Sequence, residues 1–377
     1  MSWTAHKDPE MVQEHFCDRH TLDEQAAKLA DWIRRSRHFV AFTGAGISTS
    51  AGIPDFRGPQ GVWTLRAQGR EAVARTSTVK ALPTVSHMAL VSLQDNGFLK
   101  FLISQNCDGI HRRSGLKPEV MAELHGNTNL EWCHTCGKEY LRDFHCRQGR
   151  NAVHSHETGR KCACGGVLFD TIINFGENLP PRPLQNGFSH SEHSDLVLVL
   201  GSSLTVSPAC DMPKTAKERG ARLIICNLQK TPLDHLADLR IYAKTDDLMR
   251  LVMDHLGLPI PEWRLRRQLT VSLRPQHSNY VLSFAGIESD GTPASIFSRI
   301  ELHGGLISKS EPHEFRVEVK QSQRVRFVAT LHFMGHFNEP PLDFALSLDV
   351  PDRDAVVKKY SLSFNPSDGT WTVDSIV

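Results

Sequence analysis

Thr43-Gly44-Ala45-Gly46-Ile47-Ser48, preceded by the apolar run Phe39-Val40-Ala41-Phe42 and followed by Gly52-Ile53-Pro54-Asp55-Phe56-Arg57, decides how the rest of the chain is read. A buried strand running into a glycine-rich turn whose backbone N–H groups open a helix is a physical solution for holding a diphosphate. The second half sets a loop bearing charge and an aromatic ring beside that turn. A dehydrogenase turn would carry another Gly or Ala about three residues after the second, and an acid about 20 residues further on at the end of the next strand. Here that third slot is Thr49, and Gly61-Val62-Trp63-Thr64 lies where the next strand belongs. The pocket is therefore expected to bind a dinucleotide for a purpose other than hydride transfer.

Upstream, Thr21-Leu22-Asp23-Glu24 has the form of a capping box, and the spacing of Leu22, Ala26, Leu29 and Ile33 predicts an amphipathic helix leading into the glycine-turn strand. Downstream, strand-like runs at Phe98 to Ser104, Asp195 to Leu200 and Arg222 to Asn227 alternate with helical stretches at Val85 to Gln94 and Pro208 to Arg219. Such alternation predicts a parallel, doubly wound sheet. Asp246 and Asp247 start a last helix through Leu248, Leu251, Val252 and Leu256, ended by Gly257, Pro259 and Pro261.

Past about Trp263 the periodicity changes from helical to alternating. Phe315 to Lys320, Phe344 to Leu348 and Tyr360 to Phe364 each alternate with period two, and Asn365-Pro366-Ser367-Asp368-Gly369 has the composition of a hairpin loop. The expected organisation is α/β: a parallel, doubly wound sheet over residues 1–263 and a separate antiparallel β domain over 264–377. A length of 377 residues fits at least two domains.

Forty-three basic against 42 acidic residues leave a formal charge of +1, which supplies no global field for gripping nucleic acid or an anionic membrane. Any such contact would be local. No apolar run approaches the roughly 18 residues needed to span a bilayer, and Met1 to Asp8 lacks a signal peptide's apolar centre, so a soluble, intracellular protein is expected. The nine cysteines are odd in number, and four fall in two tight pairs, Cys133-His134-Thr135-Cys136 and Cys162-Ala163-Cys164. In a reducing compartment that pattern points to a metal rather than to a disulfide framework. Four thiolates, from Cys133, Cys136, Cys162 and Cys164, would close a tetrahedral zinc shell with no position left for substrate, making one structural ion. His145, Cys146, His154 and His156 stand as substitute ligands.

Gln105-Asn106-Cys107-Asp108-Gly109 follows one apolar strand and Glu123-Leu124-His125-Gly126-Asn127 a second, shorter one. The carboxyl ends of the strands in a doubly wound sheet form the ligand crevice, so both segments should face the glycine turn. GAGIS, GIPDFRG, QNCDGIH, ELHGN, the two cysteine knuckles, NFGE, GSSLTVSP and CNLQ, in this order over roughly Leu22 to Leu258, resemble the sirtuin (Sir2) family of NAD-dependent protein deacylases. The uninterrupted PDFRGPQGVWT segment and the NLQ motif are most similar to the nuclear subgroup containing the sixth and seventh human members, and TIINFGE leans towards the seventh.

The resemblance implies a catalytic region over residues 1–263, made of a Rossmann-like large domain and a small zinc-binding module at about 126–172, with NAD and an acyl-lysine meeting in the cleft between them. It implies attack of the amide oxygen on the ribose carbon as nicotinamide leaves, then proton removal from a ribose hydroxyl by His125, an imidazole suited to that task near neutral pH. Asn106 and Asp108 would order the nicotinamide pocket and its water, with Gln105 against the ribose. For the cofactor, the likeness implies Gly44, Ala45 and Gly46 at the phosphates. Thr49, Asp55, Phe56, Arg57 and Trp63 would surround ribose and nicotinamide, Gly201, Ser202 and Ser203 would meet phosphate or ribose, Asn227 and Gln229 the adenosine ribose, and Thr245 the adenine. Phe175, Gly176, Glu177 and Val206 would offer an extended edge to the acyl-lysine peptide.

The short cofactor loop implies a partly preformed NAD site. The β-rich segment from 264 on matches nothing in the resemblance, leaving substrate recruitment, oligomerisation and covering of the core open. Two alternatives stay beside deacylation. One is transfer of ADP-ribose to protein from the same NAD site; the other is a chromatin or nucleic-acid module built on the zinc knuckles and Arg264-Leu265-Arg266-Arg267. The partner implied is an acylated-lysine protein, a histone being one candidate, with no membrane. The location implied is the nucleus, with the cytoplasm as the alternative.

Overall fold

The computed structural model describes residues 8–147, 152–288, 291–321 and 323–376. The chain divides into two compact units, one ending at Thr128 and resuming over Thr171–Trp263, the other made of Asn129–Asp170 with the residues from Arg264 on.

In the first unit, Phe39–Thr43 and Leu196–Leu200 are apolar along nearly their whole length and buried at every position. A strand covered on both faces reads this way, which is the condition of a parallel sheet between two helical layers. Six strands, all parallel, lie in the order Leu239–Ile241, Arg222–Cys226, Leu196–Leu200, Phe39–Thr43, Leu99–Ser104, Met121–Glu123. Alternate residues feed two cores. Phe39 and Ala41 join the helices Arg19–Arg35, Val85–Asp95 and Thr245–Leu256 through Leu29, Leu90 and Leu248. Val40 and Phe42 join Pro181–His193 and Asp211–Glu218 through Phe188 and Met212. The strand order reverses between Phe39–Thr43 and Leu196–Leu200, so the crevice of the fold opens where the Gly44 and Gly201 turns leave the sheet.

Two local expectations are corrected. The helix Arg19–Arg35 starts before Thr21: its N-cap is Asp18, in extended conformation, whose Oδ1 accepts from the Thr21 N–H at 3.0 Å. The Thr21 hydroxyl donates to Asp18 Oδ2 at 2.7 Å, so threonine serves the cap rather than forming it. The glycine turn opens a 3₁₀ segment, Ala45–Ala51, ended by Gly52 at φ 87°. The last helix ends as expected at Gly257, with φ 70°. Among the described residues no helix is long and apolar enough to cross a membrane.

The second unit is antiparallel β for the most part. The strands Leu265–Gln276, Asn279–Ile287, Val356–Asn365 and Thr370–Ile376 share a sheet, and Val356–Asn365 turns into Thr370–Ile376 at the Asn365 loop. A second sheet, of Leu306–Ser308, Phe297–Leu302, Arg324–Phe333 and Leu342–Asp349, contributes Ile300, Leu331 and Leu346 to the same core as Val271, Leu282 and Leu362 of the first. The first of these sheets also carries the strands of the cysteine segment, Leu130–Cys133, Glu139–Arg142, Glu157–Lys161 and Val167–Asp170, which the sequence places apart from it. They join through a parallel pairing of Glu139–Arg142 with Pro293–Ser295.

Candidate active site and cysteine centre

The Gly44 N–H donates to the Leu200 carbonyl at 3.0 Å and the Gly46 N–H to the Gly201 carbonyl at 2.9 Å. These glycines therefore contribute close approach rather than free donors. A Cβ on Gly46 would lie 2.7 Å from Gly201 Cα, and one on Gly44 would lie 2.7 Å from the Gly201 carbonyl oxygen. Gly201 itself sits at φ 64°, open to glycine and costly for other residues. Two strand ends are thus pressed backbone to backbone at the switch point, where the start of Ala45–Ala51 points its N-terminus. Within that segment Thr49 Oγ1 donates to the Gly46 carbonyl.

A continuous set of bonds runs from this cradle to the histidine. Asn106 Nδ2 donates to the Gly44 carbonyl at 3.0 Å, and the Ser202 hydroxyl donates to Gln105 Oε1 at 2.7 Å. The Gln105 carbonyl accepts from His125 Nδ1 at 2.8 Å. A carbonyl can only accept, so Nδ1 carries the proton and Nε2 keeps its lone pair. Burial lowers the His125 pKa against the opposing pull of the Gln105 carbonyl, which holds the ring neutral and basic at physiological pH. Asp108 is buried, accepts from the Ser48 hydroxyl at 2.7 Å and the Ile110 N–H at 2.9 Å, and burial raises its pKa.

The loop after the turn packs as a row of rings. Phe56 lies 4.8 Å from Trp63, Trp63 meets Phe175 edge-on at 5.4 Å, and the Arg57 guanidinium stacks 4.4 Å over Trp63. Arg57 also donates to Ser203 Oγ at 3.3 Å; burial brings its pKa down to about 10, so it stays cationic. Asp55 accepts from the Gly58 N–H, and burial raises its pKa. Glu177 closes a turn by accepting from the Asn174 N–H and side-chain amide at 2.7 and 2.8 Å, while Gly176 takes φ 93°. Gln229 Nε2 donates to the Arg57 carbonyl at 3.2 Å and the Val12 carbonyl at 3.4 Å, clasping the N-terminal segment to the loop. Asn227 Nδ2 donates to the Gln229 carbonyl at 3.0 Å. Thr245 is the first residue of its helix, next to Asp246, which accepts from Ser50 and Ser86. The carbonyl of Val206 accepts from the Cys210 N–H.

Sequence reading passed over a hydrogen-bonded cluster whose members Glu123 and Asn127 flank His125 in the chain. Glu123 accepts from Arg112 Nε and Asn127 Nδ2, both at 2.8 Å, in largely buried surroundings on the two sides of the histidine. Glu123 and Asn127 stand within the ELHGN motif, whereas Arg112, on the short helix Ile110–Ser114, carries no local signal. Ser48, which orients Asp108, was likewise present in the glycine stretch without an assigned role.

In the second unit the sulfurs of Cys133, Cys136, Cys162 and Cys164 all lie within 4.8 Å of one another, with 3.5 Å between Cys133 and Cys164 and 3.6 Å between Cys136 and Cys162. A tetrahedron of sulfurs each about 2.3 Å from zinc has edges of about 3.8 Å, so the four thiols form a site that could hold a zinc ion. A Cβ on Gly166 would come 2.8 Å from Cys133 Sγ, which requires glycine at that knuckle. The Cys164 amide, foremost, brings the Cys162 pKa down to about 6. Two of the substitute ligands are engaged elsewhere: Cys146 is buried near Glu131 and Arg160, and His156 meets Asp170 at 3.3 Å.

The Sir2 family pattern matches residues 70–208. The chain is 37% identical to NAD-dependent protein deacetylase SRT1 of Oryza sativa subsp. indica over 92% of its own length and 76% of that protein. It is 42% identical to NAD-dependent protein deacetylase sirtuin-7 of Homo sapiens over 67% of its length and 65% of that protein, and so spans about two thirds of this relative. Among solved structures, a Sir2 histidine-to-alanine variant with deacetylated p53 peptide and 3′-O-acetyl ADP-ribose matches at 32% identity and a TM-score of 0.50, covering 62% of this chain and 98% of that one. The chain belongs to the Sir2 family, with sirtuin-7 and plant SRT1 among its relatives.

Proposed function

We propose that this chain is an NAD-dependent protein-lysine deacylase, acting on acetyl-lysine and transferring the acyl group to ADP-ribose. The observation that carries this reading is the bonded path His125–Gln105–Ser202, which brings a neutral imidazole and the Gly44, Gly46 and Gly201 cradle to the same strand ends. Bound NAD would supply the activated ribose carbon and nicotinamide as leaving group. Gly44, Ala45 and Gly46 would face the diphosphate, with the two glycines letting this turn press against the Gly201 turn. Arg57, Phe56 and Trp63 form an aromatic and cationic wall, with Thr49, Asp55, Gln105, Gly201, Ser202 and Ser203 towards ribose and phosphate. His125 accepts a ribose hydroxyl proton at Nε2, the nitrogen its Gln105 bond leaves basic. Asn106 and Asp108 order the nicotinamide side of the site.

Phe175 packs on Trp63, so the segment Phe175-Gly176-Glu177, with Val206, is the edge at which the peptide is taken to lie. Asn227, Gln229 and Thr245 complete the adenosine end. In this reading residues 1–263 hold the catalytic groups and residues 264–377 supply none. An acylated lysine on a nuclear protein, a histone among the candidates, is the proposed substrate. The test is mass spectrometry of products from NAD and differently acylated peptides. Acyl-ADP-ribose from the parent chain and none from His125→Tyr is expected; nicotinamide released at full rate without acylated peptide would refute the reading.

A further inference from the structure

The strand Glu139–Arg142 puts Tyr140 and Arg142 on one face, as alternate residues of a strand must be. Tyr140 reaches the cysteine centre. Its hydroxyl oxygen accepts from the Ala163 N–H at 3.3 Å and lies 3.1 Å from Cys162 Sγ. With the oxygen already accepting, the phenolic proton is directed at the sulfur, and a metal-bound thiolate can only accept it. Arg142, on that same face, has other partners. Its guanidinium stacks 4.9 Å from the Tyr140 ring, makes buried bonds to Glu131 at 2.7 Å and Ser295 Oγ at 2.6 Å, and bonds to the exposed Glu311 at 2.8 Å.

The backbone repeats that connection. Leu141 and Arg142 pair with Ala294 and Ser295, and the Asp143 N–H donates to the Ser295 carbonyl at 3.1 Å. Leu141 packs against the core of the β-sandwich, and Arg267 donates to the Asp143 carboxylate at 2.6 Å. Glu131 is fully buried two residues before Cys133 and accepts from Arg160, two residues before Cys162, so both knuckles hang from the same charged cluster.

We propose that the C-terminal β-sandwich is a structural part of the cysteine centre: Ser295 and Glu311 hold Arg142, and through it Tyr140, where the tyrosine hydroxyl donates to the Cys162 thiolate. This rests on the reading of the four cysteines as a zinc site. Tyr140 and Arg142 are then positioning residues for the metal, and zinc binding and the order of the sandwich edge stabilise one another. Residues 264–377 thereby acquire a role that needs no substrate.

The experiment uses the full chain with zinc bound. Zinc content per chain is measured first, then affinity by competition with a chromogenic chelator, and the ligand field by cobalt substitution. Tyr140→Phe keeps the ring and its stacking and removes one hydrogen bond to a ligand, for which a loss of about 10- to 100-fold in metal affinity is expected. A shifted thiolate-to-cobalt charge-transfer band with tetrahedral d–d bands retained is expected with it. Ser295→Ala and Glu311→Gln should weaken zinc in the same direction. In the unmodified chain, chelation should speed amide hydrogen exchange at Ala294, Ser295 and Asp143. Affinity of Tyr140→Phe within about twofold of the parent, or exchange at these amides indifferent to zinc, would overturn the proposal while leaving the zinc site standing. A chain that binds no zinc would overturn the zinc reading and the proposal together.

Discussion

Substituting Gly46 by alanine tests the proposed NAD cradle at its narrowest point. The added Cβ would stand 2.7 Å from Gly201 Cα and 2.9 Å from the Gly201 oxygen. Both are backbone atoms held by the Gly46 to Gly201 hydrogen bond, so no rotamer change relieves the contact. Ordinary contact begins near 3.4 Å, and the two strand ends must part by about 0.7 Å. Overpacking of this kind costs about 1–3 kcal/mol. For a unit of this size, that corresponds to a fall in Tm of about 2–12 °C. The displacement also moves the turn that faces the diphosphate, and misplacements approaching 1 Å cost up to about 100-fold in positioning, so NAD binding weaker by tenfold or more is expected. The assay is thermal unfolding with and without NAD, in the absence of acylated peptide, which also tests whether the site is preformed. Gly220→Ala is the control: at φ 99° in open space on the loop before Arg222–Cys226, it costs about 1–2 kcal/mol of backbone strain and should leave NAD binding as in the parent. Gly46→Ala melting with the parent and binding NAD equally would refute the close-approach reasoning.

Other outcomes follow from the same geometry. Because burial lowers the His125 pKa, the ring stays neutral below its ordinary 6.5, and the acid limb of the turnover profile should lie below pH 6.5; a midpoint above that value would count against His125 as the base. His87 and His111 lie 4.7 Å apart in the core with their rings tilted by 50°, and burial pushes His87 down to about 3 and His111 well below its ordinary value. The unfolded chain takes up these protons from about pH 6.5 downward, so their contribution is complete above that pH and is lost as pH falls towards the folded values. Urea midpoints at pH 7 and pH 5 should show the loss, with a shallower dependence in His87→Gln; equal midpoints in the parent would contradict it. Asp18→Ala should destabilise the first unit by about 1 kcal/mol in chemical denaturation, as loss of an N-cap does, and no change would return the cap to Thr21.

What the sequence determined on its own was whatever is encoded by neighbours in the chain. Continuous apolar runs, which two helical layers must cover, marked the strands Phe39–Thr43 and Leu196–Leu200. The glycine turn and the paired cysteines are legible as local motifs, although the close approaches that require glycine at Gly44, Gly46 and Gly166 are made to Gly201 and Cys133, far along the chain. Helix starts were less legible: Asp18 and Thr21 both have cap chemistry, and only the extended backbone at Asp18 distinguishes them.

Tertiary structure decided the rest, since it depends on which remote groups burial brings together. Gln229 reads as one polar residue at a strand end, yet its amide is committed to the carbonyls of Arg57 and Val12. Arg112 carries no periodicity that foretells its place against Glu123 beside His125. The cysteine segment and the β-rich end look like separate domains in one dimension because about 90 residues of the α/β pattern lie between them. Arg142 and Ser295 are 153 residues apart, and the pairing that joins their strands buries one arginine against Glu131 and Ser295, a choice no local pattern encodes.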